Sequence, residues 1–356
     1  MKIGIIAGED FFKTSSFYIA QLAVEQISKE NPETQFYIFD KSAGAEKVFL
    51  PPGVQRVPVP QMLKGVLKPG LLQKQRLVAQ MKKHEIRKLW VFDPAHIIKT
   101  NLHQTLVLNN EHSVEADTLQ NIEKCNRIIT FSATHLQKLF HLSPSLENIL
   151  VATDPVVQQS FQPLSFDERL SAKEKFADNK EYFVSADFEM TKEQFLNLLK
   201  AFSGFKKMQQ SNWKLIIYLR SQLSVKEKEE ILQPLSSFKF RNDVVIGNSR
   251  SEGDLTECVA GAYALINVSE KSLFPLPVIE GLLCHVPVVT LKSADVDKYA
   301  NALVITNESS AEFLANKMMA LYKDENLRNW LSKKSAEVIE GFDAEENIKK
   351  LANLLA

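Results

Sequence analysis

The sequence predicts an α/β chain built as two doubly wound, mostly parallel sheets in separate domains. Three observations lead there. At 356 residues the chain is longer than one hydrophobic core usually fills. Short apolar runs of strand length alternate with segments of helical period along its whole length. The stretch 261–290 then condenses the pattern into one unit: an apolar run at Ala264–Val268, a Pro-punctuated loop, an apolar helix start over Val278–Cys284, and a second buried run at Pro287-Val288-Val289. That is a βαβ unit of a parallel sheet. Ligands of such sheets sit outside the carboxyl ends of the strands, so the loop 269–279 is where chemistry is expected.

The elements follow in order. Ile3-Gly4-Ile5-Ile6-Ala7 reads as a buried first strand, with a turn at Gly8-Glu9-Asp10. Ser15-Ser16 is expected to cap a helix over Phe17–Lys29, which Asn31-Pro32 stops, and Gln35–Asp40 is a second strand. Leu89–Phe92 is a strand leaving through Asp93-Pro94-Ala95-His96; Gln104–Leu108 is another, leaving through Asn109-Asn110-Glu111-His112. The strand around Ile128–Thr130, a helix over Thr134–Leu142 and the run Ile149–Ala152 lead to a domain boundary near 155–175. Ser165–Asn179 is a polar connecting helix. The second domain opens with the strand Tyr182–Ala186, followed by a helix Phe195–Phe205, a strand Trp213–Tyr218, a strand Val244–Ile246 and a helix ending at Gly261. After the central stretch come the strand Ala302–Ile305 and the helix Ser310–Tyr322, and 325–356 is helical. The expected domains are 1–160, with the helix 338–356 packing back onto it, and 161–337.

Composition excludes several classes. Lys plus Arg equal Asp plus Glu at 43 each, which rules out a generally basic nucleic-acid binder; no nucleic acid is expected as a partner. Cys125, Cys258 and Cys284 are far apart in apolar surroundings and read as buried thiols; with no histidine pair at ligand spacing, no metal is implied. No signal peptide or long apolar span is visible, so a cytoplasmic protein is expected. One segment is lopsided: in 61–88, eight Lys or Arg face the single acid Glu85, while Leu71, Leu72, Leu77, Val78 and Met81 form an apolar side. This reads either as a solvated helix face or as a peripheral contact with anionic lipid headgroups.

The central stretch resembles the nucleotide-sugar site of the GT-B glycosyltransferases, family 4-like (glycosyl transferases group 1). Phe274, Leu276-Pro277-Val278-Ile279-Glu280 and Pro287-Val288-Val289 stand where that family has its aromatic, Leu-Pro-x-x-Glu and Pro-Val-Val residues. The run Ile128–Ser132 and the crossover at Asp154-Pro155 with Phe161-Gln162-Pro163 resemble it too. The resemblance implies two Rossmann-like domains facing a central cleft, with the acceptor on the amino-terminal side and the nucleotide sugar on the carboxy-terminal side. It assigns Glu280 to the ribose hydroxyls and Lys192 to the diphosphate, with Ser272, Phe274 and Leu276 around the donor; glutamate early in a helix is also favourable for the helix dipole alone. The donor is a substrate, and no further cofactor is implied.

The chain departs from that pattern at several positions. Ser272 replaces a glutamate, Leu273 and Pro275 replace loop glycines, and His285 replaces a helix-end glycine. The family's arginine after the first strand of the second domain falls on Asp187, whose charge opposes a diphosphate; Arg220, at the exit of the next strand, is the candidate substitute. Asn109 and Asn110 stand where the family has a His-Asp pair. Asparagine is no base, so His112 and His96 are the remaining candidates for a catalytic role on the acceptor side. Two readings follow: a divergent, retaining glycosyltransferase of polysaccharide or glycolipid synthesis acting on a glycan or lipid-linked acceptor, or a degenerate relative that binds a partner without transferring sugar.

Overall fold

Buried runs rich in Ile, Val and Phe become the strands of two separate parallel sheets. The computed structural model describes residues 1–8, 10–41, 49–59, 69–108, 116–210, 212–247, 252–268, 275–293, 295–308 and 310–356. The chain divides into two units, one formed by Met1–Val156 with Glu345–Ala356 and the other by Val157–Ala344.

Unit 1 carries strands β1 (Lys2–Ala7), β2 (Gln35–Asp40), β3 (Val54–Pro58), β4 (Lys88–Val91), β5 (His103–Leu108), β6 (Arg127–Thr130) and β7 (Leu150–Ala152), in the order β3-β2-β1-β4-β5-β6-β7. All neighbours are parallel. Helices α1 (Ser15–Glu30), α2 (Pro69–Lys83), α3 (Ala116–Ile122) and α4 (Ala133–Leu142) connect them. Strands covered on both faces are apolar throughout, as β1 is: Ile3, Ile5, Ile6 and Ala7 are at most 1% exposed. The edge strand β3 is different. Gln55 and Arg56 interrupt its apolar pattern and only Val57 is buried, so it escapes a reading based on continuous hydrophobicity.

One local expectation is corrected. The cap of α1 is Thr14, whose hydroxyl accepts from the Ser16 amide at 3.3 Å; Ser15 and Ser16 lie inside the helix and are buried. In the basic segment, 61–68 lies outside the described residues, but α2 is clear in its second half. Leu77 and Met81 sit in the core with Ile86 and Leu89, while Lys74, Arg76, Lys82 and Lys83 face solvent. The described apolar side is spent on the core, which leaves charge, not hydrophobic area, on the outside.

Unit 2 opens with α5 (Phe166–Ala177), held by a capping box of Ser165 and Glu168. It continues with β8 (Tyr182–Asp187), α6 (Lys192–Gln209), β9 (Lys214–Leu219), α7 (Val225–Leu232), β10 (Val244–Ile246), α8 (Glu252–Ala260), β11 (Ala264–Ile266), α9 (Leu276–Leu283), β12 (Val288–Leu291), β13 (Leu303–Thr306), α10 (Ala311–Lys323) and α11 (Glu325–Val338). The sheet order is β10-β9-β8-β11-β12-β13, again parallel. Its core is built around Phe183, Phe202, Phe205 and Trp213 under α6 and α10, each fully buried Phe contributing about 2–3 kcal/mol by area.

The last helix, α12 (Ala344–Leu355), belongs to unit 1. Ile348, Leu351, Ala352 and Leu355 are its buried face. The Trp90 indole on β4 donates to the Leu355 carbonyl at 3.1 Å, and the Arg127 guanidinium on β6 donates to the Leu354 carbonyl. These side chains satisfy carbonyls that the end of a helix leaves open.

Candidate functional site

In each sheet the strand order reverses direction once, between β1 and β4 and between β8 and β11. The crevice outside the carboxyl ends at such a switch point is where doubly wound folds bind ligands. In unit 2 that edge collects four residues from four elements.

Glu280 comes from α9. This helix begins at Leu276, two residues earlier than the sequence pattern implies, so Glu280 is its fifth residue and no acid lies in the first turn. The helix-dipole account of this glutamate therefore fails. Residues Leu276 to Leu282 are buried all round. Gly281 makes this seating feasible, since a Cβ there would lie 2.5 Å from the Val288 methyl of β12. Glu280 is drawn fully inside as a result, with 0% exposure.

Arg220 immediately follows β9, its amide bonded to the Asp187 carbonyl at 3.1 Å. Its Nη1 reaches both oxygens of Glu280, at 2.8 and 2.6 Å, and its side chain is only 6% exposed. The guanidinium lies 3.9 Å from the centroid of the Phe188 ring. That stacking compensates for lost hydration and fixes the plane of the cation. Sixty residues separate the ionic partners, so no local motif announces the pair, and Phe188 carries no signal of its own.

Asp187 ends β8 and is 1% exposed. Its Oδ2 accepts from the Ser185 hydroxyl at 2.9 Å, while Oδ1 has no hydrogen-bond partner among the described residues. Burial pushes its carboxyl up to about 6; the Ser185 bond and the charge of Arg220 work against that, and the charge of Glu280 adds to it. A second buried acceptor lies across the switch point. Asn267, just past β11, donates to Thr290 Oγ1 at 3.0 Å and leaves its Oδ1 without a partner among the described residues. The edge thus contains one buried cation, one buried carboxylate gripped by it and one carboxyl poised to hold a proton.

The other residues singled out in the sequence fall in several elements. Lys192 is the first residue of α6, exposed, one step after the capping residue Thr191. Leu276 starts α9 and is buried. Ser272, Phe274 and His112 lie outside the described residues. His96 is in unit 1, in the 3-10 turn after β4, with Nε2 3.8 Å from Asp93 Oδ2. His285, at the helix-end glycine position, adopts φ 54°, the left-handed conformation a glycine would take without cost.

The three cysteines are unpaired and buried. Burial pushes the thiols of Cys125 and Cys258 up to about 12. Among the described residues there is no cluster of three or more metal-ligating side chains, and no helix is long and apolar enough to cross a membrane.

Comparison with known proteins bears on this arrangement at two levels. No curated protein matches the chain by sequence. In three dimensions it is similar to WaaG, a glycosyltransferase involved in lipopolysaccharide biosynthesis, with a TM-score of 0.76 at 10% identity over 99% of both chains. It is similar to the sucrose-phosphate synthase of Thermosynechococcus elongatus (TM-score 0.72, 12% identity, 99% of this chain and 98% of the other). It is also similar to Anabaena Alr3699/HepE in complex with UDP and glucose (TM-score 0.71, 13% identity, 100% and 99%). At such identities the likeness establishes the fold, which is GT-B. The family model "Glycosyl transferases group 1" matches residues 166–338. That span runs from α5 to the end of α11 and takes in every residue of the unit 2 cluster, so unit 2 carries a glycosyl transferases group 1 domain.

Proposed function

We propose that the chain is a retaining, nucleotide-sugar-dependent glycosyltransferase that holds its donor at the β8–β11 switch point of unit 2 and acts on a glycan or lipid-linked acceptor. The observation that carries this reading is the buried Arg220–Glu280 pair. The family's carboxylate position is kept, and the cation that the exit of β8 lacks is supplied by the exit of β9. In this reading Glu280 accepts from the ribose hydroxyls, as a carboxylate can from two donors. When the bond from the anomeric carbon to the diphosphate breaks, negative charge grows on the leaving phosphate. Arg220, and Lys192 at the amino end of α6, are the cations at hand to stabilise it. Leu276 gives the donor an apolar neighbour, and Ser272 and Phe274 precede it in sequence. On the acceptor side His96 is the described candidate for moving a proton, with His112 the other. The complexes of the Anabaena relative with UDP and with UDP-glucose make uridine nucleotides the first donors to test.

A second reading, a binding protein without transfer, is favoured by Asp187. A carboxylate in that place repels a diphosphate unless it carries its proton. Calorimetric titration with UDP, UDP-glucose and GDP separates the two, using Glu280→Gln as the control that preserves side-chain volume. Micromolar binding that weakens at least about tenfold in Glu280→Gln is expected. Absence of binding to every nucleotide would sink the transferase reading.

A further inference from the structure

The buried edge of unit 2 carries two carboxyls to one guanidinium. Asp187 and Glu280 are 1% and 0% exposed, and the side chain of Arg220 is 6% exposed. Arg220 reaches both oxygens of Glu280, so that pair is close to neutral. With Asp187 ionised as well, the buried groups described at this edge keep one negative charge in excess. Burial denies that charge the hydration that would offset it.

Asp187 is the member that can give its charge up. The register sets it level with Leu219 of β9, and its carbonyl holds the Arg220 amide at 3.1 Å, which fixes it at the carboxyl edge of the sheet. The groups acting on its carboxyl come from several elements. Burial is the strongest influence and raises its pKa to about 6. On β8 itself the Ser185 hydroxyl donates to Oδ2 at 2.9 Å, and past β11 the Val268 amide bonds to the carboxyl; both favour the charged form. The charge of Arg220, past β9, does the same, and that of Glu280, on α9, opposes it. Lys192, at the start of α6, is exposed to solvent. Oδ1 has no hydrogen-bond partner among the described residues. A diphosphate entering the same crevice acts in the same sense as Glu280, since nearby negative charge favours the protonated carboxyl.

We propose that Asp187 takes up a proton from solvent when the diphosphate of the donor enters, so that this edge binds a nucleotide sugar only together with a proton. The inference rests on the transferase reading and adds the regulation of its site: loading of the donor follows pH. The arginine missing after β8 is then replaced in two parts. Arg220 supplies a cation, and the proton on Asp187 removes the charge that opposes the phosphates. A neutral carboxyl also has an O–H to offer a phosphate oxygen, which a carboxylate lacks. Affinity is full where Asp187 is already protonated in the free protein, and it falls as pH rises above that range.

Calorimetric titration of the full chain with UDP-glucose, from about pH 5.5 to about pH 7.5, tests this. UDP-glucose is the probe because neither of its phosphates titrates in that range. The wild type is expected to lose about fivefold or more in affinity across it, and to take up about half a proton or more near neutral pH, read from the heats in two buffers of different ionisation enthalpy. Asp187→Asn should bind with an affinity independent of pH and, at about pH 7.5, about fivefold or more tighter than the wild type, a gain that a merely structural role would not give. Should that variant fail to fold, Asp187→Ser also removes the charge and carries the comparison. UDP is the second probe; its terminal phosphate titrates by itself, and comparison with Asp187→Asn cancels that contribution. A wild-type affinity that stays level or rises with pH overturns the proposal. So does a fall of the same size in Asp187→Asn, because another group is then titrating. Absence of binding of both probes at every pH sinks the donor reading and this one with it. Binding that is independent of pH yet weakens in Glu280→Gln sinks this one alone.

Discussion

Replacing Arg220 by Met is the most direct test of how unit 2 is held together at its functional edge. The side chain keeps roughly its length and apolar stem but loses the cation. Glu280 is then left wholly buried without the group that reaches both of its oxygens. Two unit charges about 4 Å apart attract by about 4 kcal/mol at the effective dielectric that suits protein sites. Breaking a buried pair from one side costs about 3–5 kcal/mol, because an uncompensated charge stays behind. A loss in that range is expected near neutral pH. It should shrink at lower pH, where the orphaned Glu280 takes up a proton. Urea denaturation followed by tryptophan emission measures it, ideally in a Trp90→Phe background so that the signal comes from Trp213 and Trp330 of unit 2. The double variant Arg220→Met with Glu280→Leu removes both charges and should recover most of the loss, a coupling of about 2–4 kcal/mol. If Arg220→Met costs less than about 1 kcal/mol, or if the two single losses simply add, the pair is not the anchor of this edge and the reasoning is refuted.

Four further outcomes are expected. Asp187 holds its proton up to about pH 6 in the folded protein but releases it in the ordinary carboxylate range when unfolded, so stability should fall as pH rises from about 4 to 6, by roughly 3 kcal/mol in all; Asp187→Asn should flatten that part of the stability profile. His285→Gly should raise stability by about 1 kcal/mol by relieving the left-handed backbone, readable as a shift in the unit 2 urea midpoint. Gly8→Ala should cost about 1–3 kcal/mol and displace the His96 ring, visible as a changed imidazole titration by NMR. Cys125, Cys258 and Cys284 should not react with Ellman's reagent in the native protein at pH 8 and should all react once it is unfolded in urea.

How much of this was legible in the sequence depended on burial. Strands such as Ile3–Ala7 and Tyr182–Asp187 are covered on both faces, and their continuous apolar runs announce them. β3 and α7 escaped for the opposite reason. The first alternates polar residues at a sheet edge and the second buries none of its residues, so neither leaves a hydrophobic trace. At the site, Glu280 stood out through its Leu-Pro context and Arg220 through its place at a strand exit. That they grip each other was invisible, because the contact joins residues far apart in sequence and depends on α9 starting at Leu276.

The closing of unit 1 by α12 has a consequence for how the protein is made. Unit 2 is one continuous stretch and can fold as soon as it has left the ribosome, whereas the core around Trp90 and Arg127 lacks α12 until Glu345–Ala356 has been made. At about 5–20 residues per second, the wait while Val157–Ala344 is translated lasts roughly 10–40 s. Through that interval the amino-terminal sheet stands with an apolar face uncovered. Unit 1 is thus begun before unit 2 and completed after it, and the interval is when it most needs a chaperone's protection.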